Sequence, residues 1–130
     1  MADYKYILDV QDLHTTFTVD NGEVRAVNGV NFRLEPGKTL GIVGESGCGK
    51  TTMGRTVLKL HSASGGQILF EGKDITNYTK KQMRPLRRKM QIIFQDPYSS
   101  LPPRATVGDI LSEPVRVHKI VPPDRVKEYV

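Results

Sequence analysis

The chain is 130 residues long, 38% of them hydrophobic, and it carries a formal net charge of +5. That length allows one compact domain, and no apolar run approaches the roughly 20 residues of a membrane-spanning helix. The sequence shows no secretory signal peptide, in which a charged segment precedes an apolar one. The single cysteine excludes an internal disulfide framework, so we expect a cytoplasmic protein.

The first 37 residues are typical of antiparallel β structure. Polar and apolar side chains alternate from Ile7 to Leu13, which predicts a half-buried strand. Asn21-Gly22 is a turn signal, and a second strand-like stretch runs from Val24 to Leu34. We therefore assign residues 1–37 to a mainly antiparallel β subdomain.

The following segment combines α and β signals around a glycine-rich loop. Thr39 to Val43 is a short apolar run, which is typical of a buried parallel strand. Apolar residues recur at near-helical spacing from Thr51 to Leu60, and Gly66 to Phe70 predicts another strand. Residues 38–95 are therefore predicted to form a core of strand, glycine loop and helix with β insertions.

A basic stretch within this core carries much of the positive charge. It is predicted to be helical, and two interpretations suit it: a surface for nucleic acid or anionic lipid, or a solvated helix face. No aromatic stacking platform accompanies it, so we favour the solvated face and expect no nucleic-acid partner. Its basic residues are Lys80, Lys81, Arg84, Arg87, Arg88 and Lys89.

The carboxyl-terminal third mixes one further strand signal with proline-rich loops and helix starts. Residues 90–94 are an apolar run that predicts a strand, and the prolines of residues 97–103 predict irregular structure. Thr106 is placed to cap a short helix that ends near Leu111, and Pro122–Asp124 is a second helix start.

The strongest chemical signal is a phosphate-binding loop, with the pattern glycine, four residues, glycine, lysine and a hydroxyl residue. Its glycines allow backbone N–H groups to point at phosphate oxygens, and the following helix presents its positive end to the same anion. The lysine adds a mobile cation, and the hydroxyl can bind Mg²⁺. The loop and its flank are Gly44, Glu45, Ser46, Gly47, Cys48, Gly49, Lys50, Thr51 and Thr52.

The alternative for this stretch is an ordinary glycine-rich turn. A strand signal before it and a helix signal after it favour the phosphate loop instead. Cys48 is interpreted as a small loop residue and not as a redox or catalytic thiol, because no histidine or second cysteine lies near it in the sequence. Many unrelated enzymes carry such a loop, so the motif by itself does not identify a function.

Three stretches, in this order, resemble the ATP-binding cassette (ABC) family, and the resemblance covers nearly the whole chain. A fourth stretch, residues 98–110, is most similar to the ATPases of oligopeptide and dipeptide importers. The three stretches are Ala26–Phe32 before the loop, Gly41–Gly47 entering it, and Gln91–Pro97 after it.

The resemblance implies an α/β fold: a P-loop NTPase (RecA-like) core preceded by an antiparallel β subdomain, with residues 96–130 starting a helical subdomain. It implies ATP and Mg²⁺ as ligands of the loop, with Lys50 as a catalytic residue. The implied partners are integral-membrane permease subunits and a second ABC ATPase, with the protein peripheral on the inner face of the membrane. The peptide cargo is not contacted directly.

Two residues outside the loop acquire expected roles from the resemblance. Gln95 would be the glutamine that contacts Mg²⁺ and the attacking water, since an amide oxygen binds a hard cation and orients water. Phe17 would stack on adenine, with Val24 beside it. The alternatives are a core role for this phenylalanine and Tyr4 or Tyr6 as the stacking aromatic. His14, His61 and His118 lack metal-like spacing and receive no chemical role.

The sequence also departs from the family pattern. Pro102 stands where peptide importers usually have asparagine. The family's signature motif, the strand ending in aspartate and glutamate, and the switch histidine are not found in the 130 residues. We therefore expect ATP hydrolysis from a full-length parent and little or none from this chain. The alternatives are an inactive nucleotide-binding fragment and a non-transport ABC ATPase acting on nucleic acid or ribosomes.

Overall fold

An antiparallel sheet organises the first part of the chain in the computed structural model, which describes residues 3–130. Its strands are β1 (Leu8–Val19), β2 (Gly22–Leu34), β3 (Gly65–Phe70) and β4 (Lys73–Asp74). They lie in the order β2-β1-β3-β4, and every neighbouring pair is antiparallel. The two strands predicted before residue 37 and the one at 66–70 are confirmed.

The chain divides into two units, Met1–Met83 and Arg84–Val130. The core of the first unit follows from the alternation that predicted the strands. Val10 and Leu13 of β1 and Ile68 of β3 are essentially inaccessible to solvent, as is Ile75 after β4. Burial of such aliphatic side chains is the main term stabilising the sheet, at about 1.5–3 kcal/mol each.

Helix α1 (Lys50–Val57) packs on the sheet through one face. Met53, Thr56 and Val57 are its buried residues, and their spacing of three and four places them along one side of the helix. The helix begins where the glycine loop ends and is shorter than the stretch to Leu60 predicted from periodicity. Leu58 and Lys59 form a turn that ends it.

Strand β2 contains an irregularity that matters for the loop. Thr15 of β1 pairs with Val27, whereas Thr16 pairs with Arg25, so Ala26 is an extra residue in β2. Such a β-bulge turns the local backbone out of the regular ladder. The carbonyl of Ala26 lies against the glycine loop through this bulge.

The second unit is helical. The boundary between the units falls within α2 (Lys80–Leu86), and α3 (Pro97–Ser100), α4 (Val107–Val117), a 3₁₀ turn (Pro123–Arg125) and α5 (Val126–Tyr129) follow. Thr106 caps α4 as predicted: its hydroxyl accepts from the Asp109 amide, and the Asp109 carboxylate accepts from the Thr106 amide. Helix α4 continues past Leu111 to Val117 despite Pro114.

Three local predictions are wrong. Residues 38–45 and 90–96 form no strand, and residues 97–100 form a short helix where irregular structure was expected. A parallel strand exists only through hydrogen bonds to neighbouring strands, and its side chains are buried only when both sheet faces are covered. Here the side chains of Val43 and Ile93 are 94% and 98% exposed. Among the described residues, no helix is long and apolar enough to span a membrane.

Candidate functional site

The loop between residue 44 and α1 has a backbone that only glycine readily adopts. Gly47 and Gly49 have φ values of 78° and 94°. A Cβ on Gly49 would lie 2.2 Å from the carbonyl oxygen of Ala26, and one on Gly44 would lie 2.6 Å from the sulfur of Cys48. Both distances are shorter than any real contact. The loop is therefore curled tightly against the bulge of β2.

The ammonium group of Lys50 lies inside this curl. Its Nζ donates hydrogen bonds to the carbonyl oxygens of Gly44 at 2.7 Å and Glu45 at 2.6 Å, and it lies 3.4 Å from the Cys48 sulfur. An ammonium group has three donors and no acceptor, so these loop atoms hold it at the centre of the loop. Lys50, the cation predicted to bind phosphate, thus lies within the loop.

The start of α1 is open to an anion. Gly49 is the N-cap residue, and among the described residues no side chain caps the first turn. The first N–H groups of a helix have no partner within the helix, and they carry the positive end of its dipole. Here they belong to Lys50, Thr51 and Thr52, which all border the same cavity.

This cavity measures about 400 Å³, and the residues that line it include two cationic side chains and no carboxylate. The hydroxyl-bearing Thr51 and Thr52 lie beside the two cations, Arg25 and Lys50. A concave site with positive charge, hydroxyl groups and open backbone donors is complementary to a polyphosphate with its Mg²⁺. Its lining residues are Val24, Arg25, Ala26, Gly47, Cys48, Gly49, Lys50, Thr51 and Thr52.

The structure brings most of the predicted loop residues together at this site. Gly44 and Glu45 contribute carbonyl oxygens to Lys50, while residues 47–52 form the cavity wall. Ser46 lies in the turn with Gly47, is exposed, and does not border the cavity. In the part of the chain that the structure describes, no cluster of histidine, cysteine, aspartate or glutamate could hold a metal ion.

Phe17 lies one strand away from the cavity wall. It pairs directly with Val24 across β1 and β2, so both side chains are on one face of the sheet. Val24 borders the cavity but Phe17 does not. The Phe17 ring instead packs nearly perpendicular to the His61 ring, with ring centres 5.3 Å apart and an interplanar angle of 86°.

Gln95 lies in the second unit, in an exposed bend. The next residue, Asp96, caps α3 by accepting a hydrogen bond from the Tyr98 amide at 2.9 Å. Hydrogen bonds from the Ser99 hydroxyl and the Tyr98 amide hold the pKa of the Asp96 carboxyl below its ordinary value. Local hydrogen bonds therefore order the residue after Gln95 without a strand before it.

Arg25 and Ala26 are the site residues that sequence reasoning did not assign. Arg25 adds the second cation to the cavity wall, and the Ala26 carbonyl supports Gly49. Nothing local in the sequence distinguishes them from other strand residues. Their contribution depends on the bulge in β2, which is a property of how two strands pair.

Comparison with known proteins decides the family. The profile of the family described as ABC transporter matches residues 27–128. The chain belongs to the ABC transporter family. This confirms the assignment predicted from the three sequence stretches and the order in which they occur.

Curated ABC relatives share nearly half of their residues with this chain over the matched region. The oligopeptide transport ATP-binding protein AppF of Bacillus subtilis is 44% identical over an alignment of 127 positions that covers 92% of this chain. The glutathione import ATP-binding protein GsiA of Escherichia coli is 46% identical over an alignment of 129 positions that covers 94% of this chain. The match covers 39% of AppF and 21% of GsiA. The chain therefore spans less than half the length of these relatives.

Solved ABC structures confirm the predicted P-loop cassette fold. The dimeric post-hydrolysis state of the ATP-binding cassette MJ0796, bound to ADP and Pi, matches with a TM-score of 0.77 at 19% identity, covering 93% of this chain and 53% of that one. The structure of cbiO1 from Clostridium perfringens, which is part of the ABC transporter complex cbiONQ, matches with a TM-score of 0.72 at 30% identity. That match covers 96% of this ABC chain and 47% of cbiO1.

Proposed function

We propose that this chain is the nucleotide-binding part of an ABC import ATPase that couples ATP binding and hydrolysis to uptake of oligopeptides or dipeptides. Family membership and the loop geometry support the ATPase, and the names of AppF and GsiA support peptide-like cargo. No residue of the site would contact that cargo.

The observation that carries the proposal is the convergence of Lys50, Arg25 and the uncapped first turn of α1 on one cavity. The N–H groups of this turn would donate to phosphate oxygens. Lys50 would exchange its hydrogen bonds with the loop carbonyls for bonds to the β- and γ-phosphates. Because both partners are charged, the new bonds are stronger than those they replace.

The residues also suit Mg²⁺ and the adenine base. Thr51 would bind Mg²⁺ through its hydroxyl, and Gln95 would contribute an amide oxygen and orient water. Bound Mg²⁺ would neutralise part of the phosphate charge. Phe17 would offer a ring face to the base, because an aromatic face binds a base by stacking and needs no hydrogen bond to it.

The proposed partners are integral-membrane permease subunits and a second ABC ATPase, with the protein at the cytoplasmic face of the membrane. The solved MJ0796 cassette is dimeric, and cbiO1 is part of a transporter complex, which supports both partners by similarity. For the 130 residues alone we propose binding with negligible turnover, since the described residues that line the cavity include no carboxylate to polarise water.

Titration of the 130-residue chain with MgATP, beside a phosphate-release assay, tests this function. Lys50→Ala should raise the dissociation constant at least about tenfold, because it removes charge-assisted hydrogen bonds to phosphate. Lys38→Ala is the matched control, since Lys38 is exposed and does not border the cavity. Equal affinity of the wild type and Lys50→Ala would contradict the site, and turnover comparable with an intact ABC ATPase would contradict the proposed inactivity.

A further inference from the structure

A buried pair of hydroxyl groups joins β1 to the helix that follows the phosphate loop. Thr15 and Thr56 are both 0% exposed, and their Oγ1 atoms lie 3.0 Å apart. Two buried hydroxyl groups are unfavourable unless they are paired, because burial removes the hydrogen bonds that they would make to water. The pair therefore holds β1 and α1 in one relative position.

The hydrogen bonds of this pair have a definite direction. The Thr56 hydroxyl donates to the carbonyl oxygen of Thr52 at 2.8 Å. Because a hydroxyl has one hydrogen, Thr56 must accept the hydrogen of Thr15. The chain of bonds therefore runs from Thr15 in the sheet, through Thr56, to Thr52 in the first turn of α1, which borders the cavity.

Phe17 makes a second link between the same elements. Thr15 and Phe17 are two residues apart on β1, so their side chains lie on the same face. Thr15 contacts α1 itself, while Phe17 meets His61 in the segment after α1. Strand β1 therefore contacts α1 through Thr15 and Thr56, and it contacts the segment after α1 through Phe17 and His61.

We propose that the Thr15–Thr56 pair is a positioning element that sets the separation between the base-binding Phe17 and the phosphate-binding first turn of α1. The inference rests on the proposed function and adds a source of specificity to it. A nucleoside triphosphate must reach both places at once, so its affinity depends on their spacing. Inorganic tripolyphosphate reaches only the loop and does not depend on it. The pair thereby selects nucleotides over simple polyphosphates.

The test compares MgATP with magnesium tripolyphosphate on the 130-residue chain by calorimetric titration. Thr15→Val keeps the shape of the side chain but removes the hydroxyl, and it should weaken MgATP binding about five- to tenfold. Tripolyphosphate binding should change less than about twofold. Thr15→Ser keeps the hydroxyl and loses a buried methyl group, so it should lower stability while leaving the ratio of the two affinities at the wild-type value.

A double-mutant cycle separates positioning from general destabilisation. If the pair acts through Phe17, Thr15→Val should add little to the loss of MgATP affinity caused by Phe17→Ala. Equal losses for both ligands, or full additivity with Phe17→Ala, would overturn the positioning role and leave the proposed function standing. Failure of the wild type to bind MgATP in a Lys50-dependent manner would overturn the proposed function and this inference together.

Discussion

The phosphate loop and the segment around Gln95 differ in how much of their structure comes from contacts among their own residues. In residues 44–52, the lysine is bonded to loop carbonyls and Gly49 is packed against the Ala26 carbonyl. In residues 90–96, the apolar Ile93 is 98% exposed and the predicted strand is not formed.

The difference shows which contacts each segment needs. A glycine loop and its helix form through hydrogen bonds that span six residues or fewer, with one wall supplied by β2. A parallel strand has no internal hydrogen bonds and depends wholly on neighbouring strands. The curated ABC relatives extend well beyond the matched region. An apolar run such as residues 90–94 therefore forms a strand only where neighbouring strands pair with it.

The largest expected effect is that of Gly49→Ala. A Cβ there would overlap the Ala26 carbonyl at 2.2 Å, and φ is 94°, so the loop must move. We expect a loss of about 2–4 kcal/mol in the free energy of unfolding and at least about a tenfold loss of MgATP affinity. Chemical denaturation and calorimetry measure both.

Gly54→Ala is the control for that substitution. Gly54 lies inside α1, and nothing lies within 4 Å of its added Cβ, so alanine should stabilise the helix by about 0.5–1 kcal/mol. If Gly49→Ala left stability and binding unchanged, the close packing of the loop against β2 would be refuted.

An intermediate effect is expected in the second unit, where α4 is as locally determined as the phosphate loop. Hydrogen bonds from the Thr106 hydroxyl and amide hold the pKa of Asp109 below its ordinary value of 3.8. A carboxyl whose pKa is lowered by folding stabilises the protein at pH values above its ordinary pKa. This contribution is lost as the pH falls through the pKa of the folded state. Carboxyl NMR should place the Asp109 midpoint below 3.8.

Thr106→Val removes the hydroxyl donor and should return that midpoint toward the ordinary value. It should also lower the melting temperature by a few degrees, about the effect of losing one helix cap. An Asp109 midpoint that is the same in both proteins would show that the capping box does not form in solution.

The smallest expected effect is that of Gln95→Ala on nucleotide binding. A neutral amide oxygen contributes little to ground-state binding of a cation that water can also coordinate, so we expect a change in MgATP affinity below about twofold. Lys50→Ala, measured in the same titration, gives the scale. A loss for Gln95→Ala comparable with that for Lys50→Ala would mean that the segment around Gln95 is as ordered as the phosphate loop.

Features that depend on short-range patterns could be predicted from the sequence. The alternation in β1, the glycines around α1 and the Thr106 cap all predicted what the structure shows. The strands predicted at 39–43 and 90–94 were wrong because an apolar run shows only that a segment tends to be buried. The helix at Pro97–Ser100 was missed because the prolines suggested irregular structure, although Asp96 followed by Pro97 suits a helix start.

The sequence by itself determined the phosphate loop, the antiparallel strands and the ABC family, because these depend on residue types at fixed short spacings. Only the tertiary structure decided that Arg25 and Ala26 form the wall facing Lys50, and that Thr15 and Thr56 share one buried hydrogen bond. Thr15 and Thr56 are 41 residues apart, and only the packing of a helix on a sheet brings them together. Pairing register and packing are long-range properties that no local pattern encodes.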